Sequence, residues 1–330
     1  MNTKRHDTVA YSYRRYFQVF FLATLANLAI GQSHAEADLR NRYSFNEGAT
    51  ADASGRVIID SVGGQNGIVR GFGSTATAGA LSIPGGEAPV GASLPAYVDL
   101  PNGLASSIPA DATFECWFTV KAATRWAHLF DFGDQLLVPG GYQELDGSPT
   151  PGVGGAGDAF FFSPMHNFDT DQQRFSFENE NPVGGGITNG GNNTIDTAIA
   201  LPIGVMHHVV ITYVHDDDGA GVATNSRETL YLDGTQVGTV YNANPSNFHL
   251  ANLNDVNNWL GRSNYSLDHF LNGSLEEFRI YTHAMNPNQV AASFQRGPDQ
   301  IPEPTTLLLL TGGLIATTAW SCPGRRRLAT

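Results

Sequence analysis

The chain has 330 residues and a formal net charge of −13, and only 15% of it is Asp, Glu, Lys or Arg, against about 25% in ordinary globular domains. Its 18 Lys and Arg cannot supply the clustered cations that phosphate neutralisation needs, so a basic nucleic-acid binder is excluded; 37 Gly and 17 Pro exclude a coiled coil. A hydrophobic share of 41% suffices for a core, while 2 Cys exclude a disulfide framework.

At the N-terminus Lys4, Arg5, Arg14 and Arg15 precede an apolar run from Tyr16 to Ile30, then Gly31-Gln32-Ser33-His34-Ala35. A basic stretch, an apolar stretch and a small-x-small site are the order of a secretory signal peptide, with cleavage after Ala35. The alternative, an uncleaved anchor, has an apolar run of about 15 residues, short for a span.

Residues 36–300 read as one all-β domain. Strand-like runs rich in β-branched and aromatic residues fall at 112–120, 126–132, 158–162, 174–178, 205–214, 228–233, 236–241, 257–261 and 271–281, most of them separated by Gly, Asn, Asp or Pro clusters. Many short strands with such turns predict a two-sheet antiparallel sandwich of the jelly-roll type. Asp233-Gly234, between two alternating runs, predicts a tight hairpin. Segments 139–157 and 182–194 are loops by composition, long enough to suggest recognition loops or disorder. One helix is written near the end: Asn286 as cap, Pro287 at the first position, Gln289 completing a capping box and Gly297 as stop. Its apolar positions Val290, Ala291 and Phe294 predict that it packs as a lid on the sandwich.

The tail, residues 301–330, holds Pro302-Glu303-Pro304, an apolar run from Thr305 to Trp320 and Arg325-Arg326-Arg327. Arginines beyond an apolar helix orient it with the cluster in the cytoplasm and the domain outside. This order resembles the PEP-CTERM sorting signal of Gram-negative bacteria, which implies a transmembrane helix handled by an exosortase that cuts near Pro302-Glu303-Pro304; a plain C-terminal anchor is the alternative. Cys322 lies in this tail, so processing would leave Cys116 alone.

A second resemblance covers roughly residues 39–297. Arg42 to Gly48 (RYSFNEG), Asp52 to Gly55 (DASG), Asp60 to Gly67 (DSVGGQNG), Thr113 to Phe118 (TFECWF), His207 to Tyr213 (HHVVITY), Tyr231 to Gly234 (YLDG), Leu260 to Arg262 (LGR) and Phe270 to Tyr281 (FLNGSLEEFRIY) follow in order. Together they resemble a laminin-G-like, concanavalin A-like lectin/glucanase jelly roll. The sequence departs from that pattern at Met206, where a Trp is usual, and at Glu276, where an Asp is usual.

The fold class implied by that resemblance includes glycosidases, which need two carboxylates about 5 to 9.5 Å apart. The E-x-D-x-x-E strand signature is absent. Glu276 and Glu277 are adjacent, so they point to opposite faces and cannot share a substrate. Glu178 and Glu180 have the spacing, but Asn181-Pro182 signals a strand end. Cys116 sits inside an apolar strand and reads as core. The run at 152–157 matches G-x-G-x-x-G with no helix behind it. His207 and His208 face opposite sides of their strand and cannot share a metal. Asp216-Asp217-Asp218-Gly219 is either a solvated turn or a calcium site, since Ca²⁺ takes oxygen ligands. A second calcium candidate is the pairing of first and last strands, where Asn46, Asp52 or Asp60 could approach Glu276 or Glu277. Trp126, Tyr142, Trp259 and Tyr265 are aromatics near loops that could stack on sugars or belong to the core, and their spacing fixes no platform.

The expectation is a secreted, envelope- or matrix-associated, non-catalytic carbohydrate- or protein-binding module. Its partners would be an exosortase, a carbohydrate or surface polymer, and transiently the inner membrane. The alternatives are a glycoside hydrolase or polysaccharide lyase on the same fold, and a structural exopolysaccharide-matrix protein. Residues 1–35 carry net +3 and residues 305–330 net +3, which leaves −19 on residues 36–304. The mature domain is thus strongly acidic, which favours solubility and makes divalent cations plausible partners.

Overall fold

Strands account for about half of what the computed structural model describes, namely residues 38–87, 94–135, 156–165, 172–178, 194–215, 226–241, 249–265 and 268–300. The predicted signal peptide with Ala35, the loops at 139–155 and 182–193, Asp216 to Asp218, and the tail with Pro302, Glu303, Pro304, Arg325, Arg326 and Arg327 lie outside these residues. In chain order the strands are β1 (Leu39–Tyr43), β2 (Val57–Ile58), β3 (Gly67–Arg70), β4 (Thr75–Thr77), β5 (Ala80–Gly86), β6 (Tyr97–Leu100), β7 (Ala112–Ala122) and β8 (Phe130–Gln135). They continue as β9 (Ala156–Ser163), β10 (Gln173–Glu178), β11 (Thr194–Thr197), β12 (Met206–Val214), β13 (Arg227–Leu232), β14 (Thr235–Tyr241), β15 (Asn257–Leu260) and β16 (Phe270–Tyr281). One 3-10 turn (Leu250–Asn252) and one α-helix, α1 (Pro287–Arg296), complete the described elements.

The strands form two antiparallel eight-stranded sheets. The first runs β14-β13-β12-β7-β16-β5-β4, with β1 also on β16; the second runs β11-β10-β9-β8-β15-β6-β3-β2. Their non-sequential order makes a sandwich of jelly-roll type, as the turn-punctuated strand pattern predicts. Alternate residues of each strand enter the space between the sheets. From β7 these are Phe114, Cys116, Phe118 and Val120; from β8, β9 and β10 they are Phe130, Phe132, Phe160, Phe162, Phe175 and Phe177. Phe114 and Phe160 meet across the sandwich at 4.7 Å between ring centroids, and each such aromatic contact adds about 0.5–1.5 kcal/mol beyond area burial.

The hairpin and the helix form as predicted. Asp233 (φ 47) and Gly234 (φ 77) turn between β13 and β14 with both residues left-handed, the geometry that matches strand twist. The glycine is required twice over, since a Cβ there would lie 3.0 Å from Phe294 of α1. Asn286 Oδ1 accepts from the backbone N–H groups of Asn288 and Gln289, both at 3.0 Å, and Gln289 Oε1 accepts from Asn286 N at 2.8 Å. Val290 buries against Val210, Tyr231, Tyr281 and Met285, so α1 covers the outer face of the first sheet.

Two expectations are corrected, and the short strands extend the reading. The strand read at 126–132 begins only at Phe130, because Trp126 turns with φ 54. The short strands β1 to β6 and β11, of two to seven residues, gave no alternation long enough to read. Glu276 and Glu277 do not face opposite sides: the register of β16 against β7 shifts between Leu275 and Glu277. Leu275 and Phe278 both belong to the core, so the extra residue of this bulge leaves both glutamates on the outer face.

Beneath α1 that face carries a buried ion network. Glu115 accepts from Arg279 Nη1 (3.3 Å) and Tyr281 Oη (2.9 Å) and lies 3.0 Å from His208 Nε2. Glu277 accepts from Arg279 Nε (2.6 Å) and also pairs with Arg42. Arg279 lies over Trp117, 4.6 Å from its ring centre. Burial opposes ionisation of Glu115, but the His208 bond and the Arg279 charge prevail and hold its carboxyl down at about 2.

Candidate functional site

Among the described residues, no helix covers the outer face of the second sheet. There the chain between β7 and β8, the outward residues of β8 to β11 and the loop after β15 place Trp126, His128, Asp131, Arg174, Ser176, Glu178, Asp196, Tyr265 and Asp268 together.

Trp126 and Tyr265 are half-buried, unlike most aromatics of the domain. A bulky residue at positive φ costs about 1–3 kcal/mol and persists only where its surroundings hold it. Trp126 is so held: Ala127 and Leu129 beside it are fully buried, and the guanidinium of Arg174 lies 5.5 Å from its ring centre. Arg174 is aimed in turn by a two-point pair with Asp196, at 2.7 and 2.8 Å.

Behind these groups lies a bonded polar cluster. His128 stacks on Phe161 at 4.0 Å with 11° between planes. Its Nδ1 bonds Asp131 Oδ2 at 2.7 Å, and its Nε2 faces Asp268 Oδ2 at 3.7 Å. Asp131 also accepts from Asn264 N (2.8 Å) and Nδ2 (2.9 Å), and Asp268 accepts from Ser263 Oγ (2.8 Å). Ser176 Oγ (2.8 Å) and the Tyr265 hydroxyl both donate to Glu178. Burial pushes the Glu178 carboxyl up and that of Asp268 up to about 6; burial, then the charge of Glu178, drives the Tyr265 phenol up. His128 and Asp131 are 1% and 0% exposed and Glu178 only 3%. They therefore support the surface from beneath, and only Trp126, Arg174, Asp196, Tyr265 and Asp268 reach it.

The sequence-predicted residues fall as follows. Trp126 and Tyr265 both lie on this face, Tyr142 lies outside the described residues, and Trp259 is buried. Arg262 lies 4.0 Å from the ring centre of Trp259 and 4.7 Å from that of Tyr97, so this aromatic box is filled by the chain's own cation. Glu178 is in the cluster, whereas Glu180 lies outside the described residues. His207 and His208 do face opposite sides: His207 meets Asp233 at 2.9 Å and His208 meets Glu115. Cys116 is core.

The first and last strands do pair, through β1 and β16. Their acids, however, have separate partners. Asp52 accepts from Ser54 N (2.9 Å), a bond that lowers its carboxyl below the ordinary value, and Glu276 accepts from Thr119 Oγ1 (3.0 Å) and Ser274 Oγ (2.6 Å). Asp60 takes the N–H groups of Arg42, Val62, Gly63 and Gln65 and the amide of Asn41. Among the described residues, no group of three or more His, Cys, Asp and Glu could hold a metal ion, and no helix is long and apolar enough to cross a membrane.

Sequence reasoning missed His128, Asp131, Arg174, Asp196 and Asp268. The one signal was polar residues alternating within apolar strands, as in FDF at 130–132 and RFSFE at 174–178.

With this architecture in view, comparison with protein families matches residues 93–291 to the laminin-G-type domain of the concanavalin A-like lectin/glucanases superfamily. The chain belongs to that superfamily. Comparison with curated protein sequences finds no match. Among solved structures, the chain is similar to domain 4 of AbnA, a GH43 extracellular arabinanase from Geobacillus stearothermophilus in complex with arabinotriose. That match has 18% identity over 77% of this chain and 98% of that one, with a TM-score of 0.45. It is also similar to the binding domain of Botulinum neurotoxin DC in complex with rat synaptotagmin II (11% identity, 77% of this chain and 52% of that one, TM-score 0.42). A third is Trypanosoma rangeli sialidase (14% identity, 78% of this chain and 32% of that one, TM-score 0.41).

Proposed function

We propose that the protein is a secreted, non-catalytic carbohydrate-binding module of the cell envelope or exopolysaccharide matrix, delivered by an exosortase acting on the tail at 301–330. The ligand sits on the outer face of the second sheet. The observation that carries the reading is Trp126, held half-buried at positive φ against the guanidinium of Arg174, on the face that also carries Tyr265. Flat aromatic faces take the C–H faces of sugar rings, and side chains already fixed by their neighbours bind hydroxyls with little ordering cost. The burial of Glu178, Asp131 and His128 supports binding over hydrolysis, because a general acid must reach the bond it protonates.

Glycan-array binding of the domain, repeated with Trp126→Ala and Arg174→Ala, tests the reading. A polysaccharide bound by the parent and lost by at least about tenfold in both variants (~1.4 kcal/mol) is the expected result. No glycan bound, or binding untouched by either change, would overturn it. Hydrolysis of the producer's own polysaccharide, abolished by Asp268→Asn, would replace it with a glycosidase.

A further inference from the structure

Away from that face, at the end of β12, three polar side-chain atoms converge. His215 Nδ1 and His249 Nδ1 are 2.8 Å apart, and the Tyr213 hydroxyl lies 3.2 Å from the first and 3.5 Å from the second. The histidine rings are 4.3 Å apart between centroids and tilted by 64°. We infer that Tyr213, His215 and His249 form a binding site for a divalent first-row transition ion, Zn²⁺ or Cu²⁺.

Two arguments carry this. The first is proton supply: an imidazole nitrogen offers one proton or one in-plane lone pair. His215 Nδ1 cannot make good hydrogen bonds to both His249 Nδ1 and Tyr213 Oη, whereas a cation takes a lone pair from all three. The second is shape. Metal-to-nitrogen bonds of about 2.0–2.1 Å in a tetrahedral site put neighbouring donor atoms about 3.3 Å apart. The observed edges of 2.8, 3.2 and 3.5 Å bracket that value, so an ion fits with sub-ångström adjustment and keeps a fourth position for water or another ligand.

The donors are also held from behind. The His215 backbone N–H donates to Asp111 Oδ1 at 2.8 Å. Tyr213 is fully buried and meets Phe177 edge-on at 6.5 Å, and His249 precedes the buried Leu250. Both histidines are half-buried, leaving a path for an ion. Imidazole nitrogens select Zn²⁺ or Cu²⁺ and not Ca²⁺, which takes oxygen. Its nitrogen donors thus set its ion apart in kind from the calcium that the sequence suggests for Asp216 to Asp218.

Calorimetric titration of the metal-free full chain with ZnCl₂, CuCl₂ and CaCl₂ tests the inference, together with the imidazole NMR signals of His215 and His249. One equivalent of Zn²⁺ should bind and shift both sets of signals, while Ca²⁺ leaves them in place. His215→Ala/His249→Ala should weaken Zn²⁺ binding at least tenfold. Tyr213→Phe keeps the buried ring and should remove the visible phenolate-to-copper band of the Cu²⁺ form. Signals unmoved by Zn²⁺, or moved equally by Ca²⁺, would overturn the assignment in the parent protein whether or not the variants fold. Zn²⁺ binding unchanged in His215→Ala/His249→Ala would do the same.

Discussion

The outer faces of the two sheets both bury charge, yet they treat the groups above it differently. On the first sheet Glu115, Glu277 and Arg279 are sealed under α1, and Trp117 beneath the guanidinium is 1% exposed. On the second, His128, Asp131 and Glu178 are equally buried, but the Trp126 and Tyr265 beside them stand half out of the surface. A closed ionic network costs desolvation and returns it only when every partner is present. The first face is thus a joint that locks the helix to the sheet, and the second is a supported surface with exposed contact groups. Burial of charge alone does not mark a site; what matters is whether groups at the surface depend on it.

The largest effect should come from opening the joint. Arg279→Met takes from Glu115 and Glu277 the one cation they share in the buried network and should cost about 3–5 kcal/mol in urea unfolding. A loss under about 1 kcal/mol, the size of an ordinary substitution, would dissolve the distinction between the faces. The acid limb carries the same signature. The Glu115 carboxyl is held at about 2, below its ordinary 4.5, so its stabilisation is present above pH 4.5 and lost as pH falls toward 2. Glu115→Gln should flatten that loss, read as melting temperature between pH 5 and 2.5.

On the other face, Trp126→Gly should remove glycan binding by at least about tenfold. The backbone strain it relieves, about 1–3 kcal/mol, offsets the lost ring contacts. Urea midpoints should therefore stay nearly unchanged, and a large drop would make Trp126 a packing residue instead. Asn286→Ala should do the reverse: about 1 kcal/mol of stability lost with the helix cap, and glycan binding untouched.

The narrowest test concerns Asp268, whose carboxyl is raised from 3.8 to about 6 by burial. A raised carboxyl contributes stability below its unfolded value that is lost as pH rises through the folded one. The melting temperature of Asp268→Asn, relative to the parent, should therefore climb between pH 4 and 6.5. A flat difference would mean that Asp268 is better solvated than its place beside His128 implies.

Much of this fold is legible locally, because alternation, turn chemistry and capping act between residues close in the chain. The run at 112–120, the Asp233-Gly234 turn and the Asn286-to-Gln289 capping box are all of this kind, and the acidic charge follows from counting. The site was not legible in the same way. His128, Arg174 and Tyr265 are 46 and 91 residues apart in succession, and only the order of β8, β9, β10 and β15 in the second sheet makes them neighbours. The bulge at Glu276 escaped because period 2 is assumed until a register shift breaks it. Sequence by itself determined the longer strands, the turn and the helix, since those depend on nearest neighbours and on one buried face. Tertiary structure alone decided which aromatics stay at the surface and which donors converge, because both depend on contacts between strands far apart in the chain.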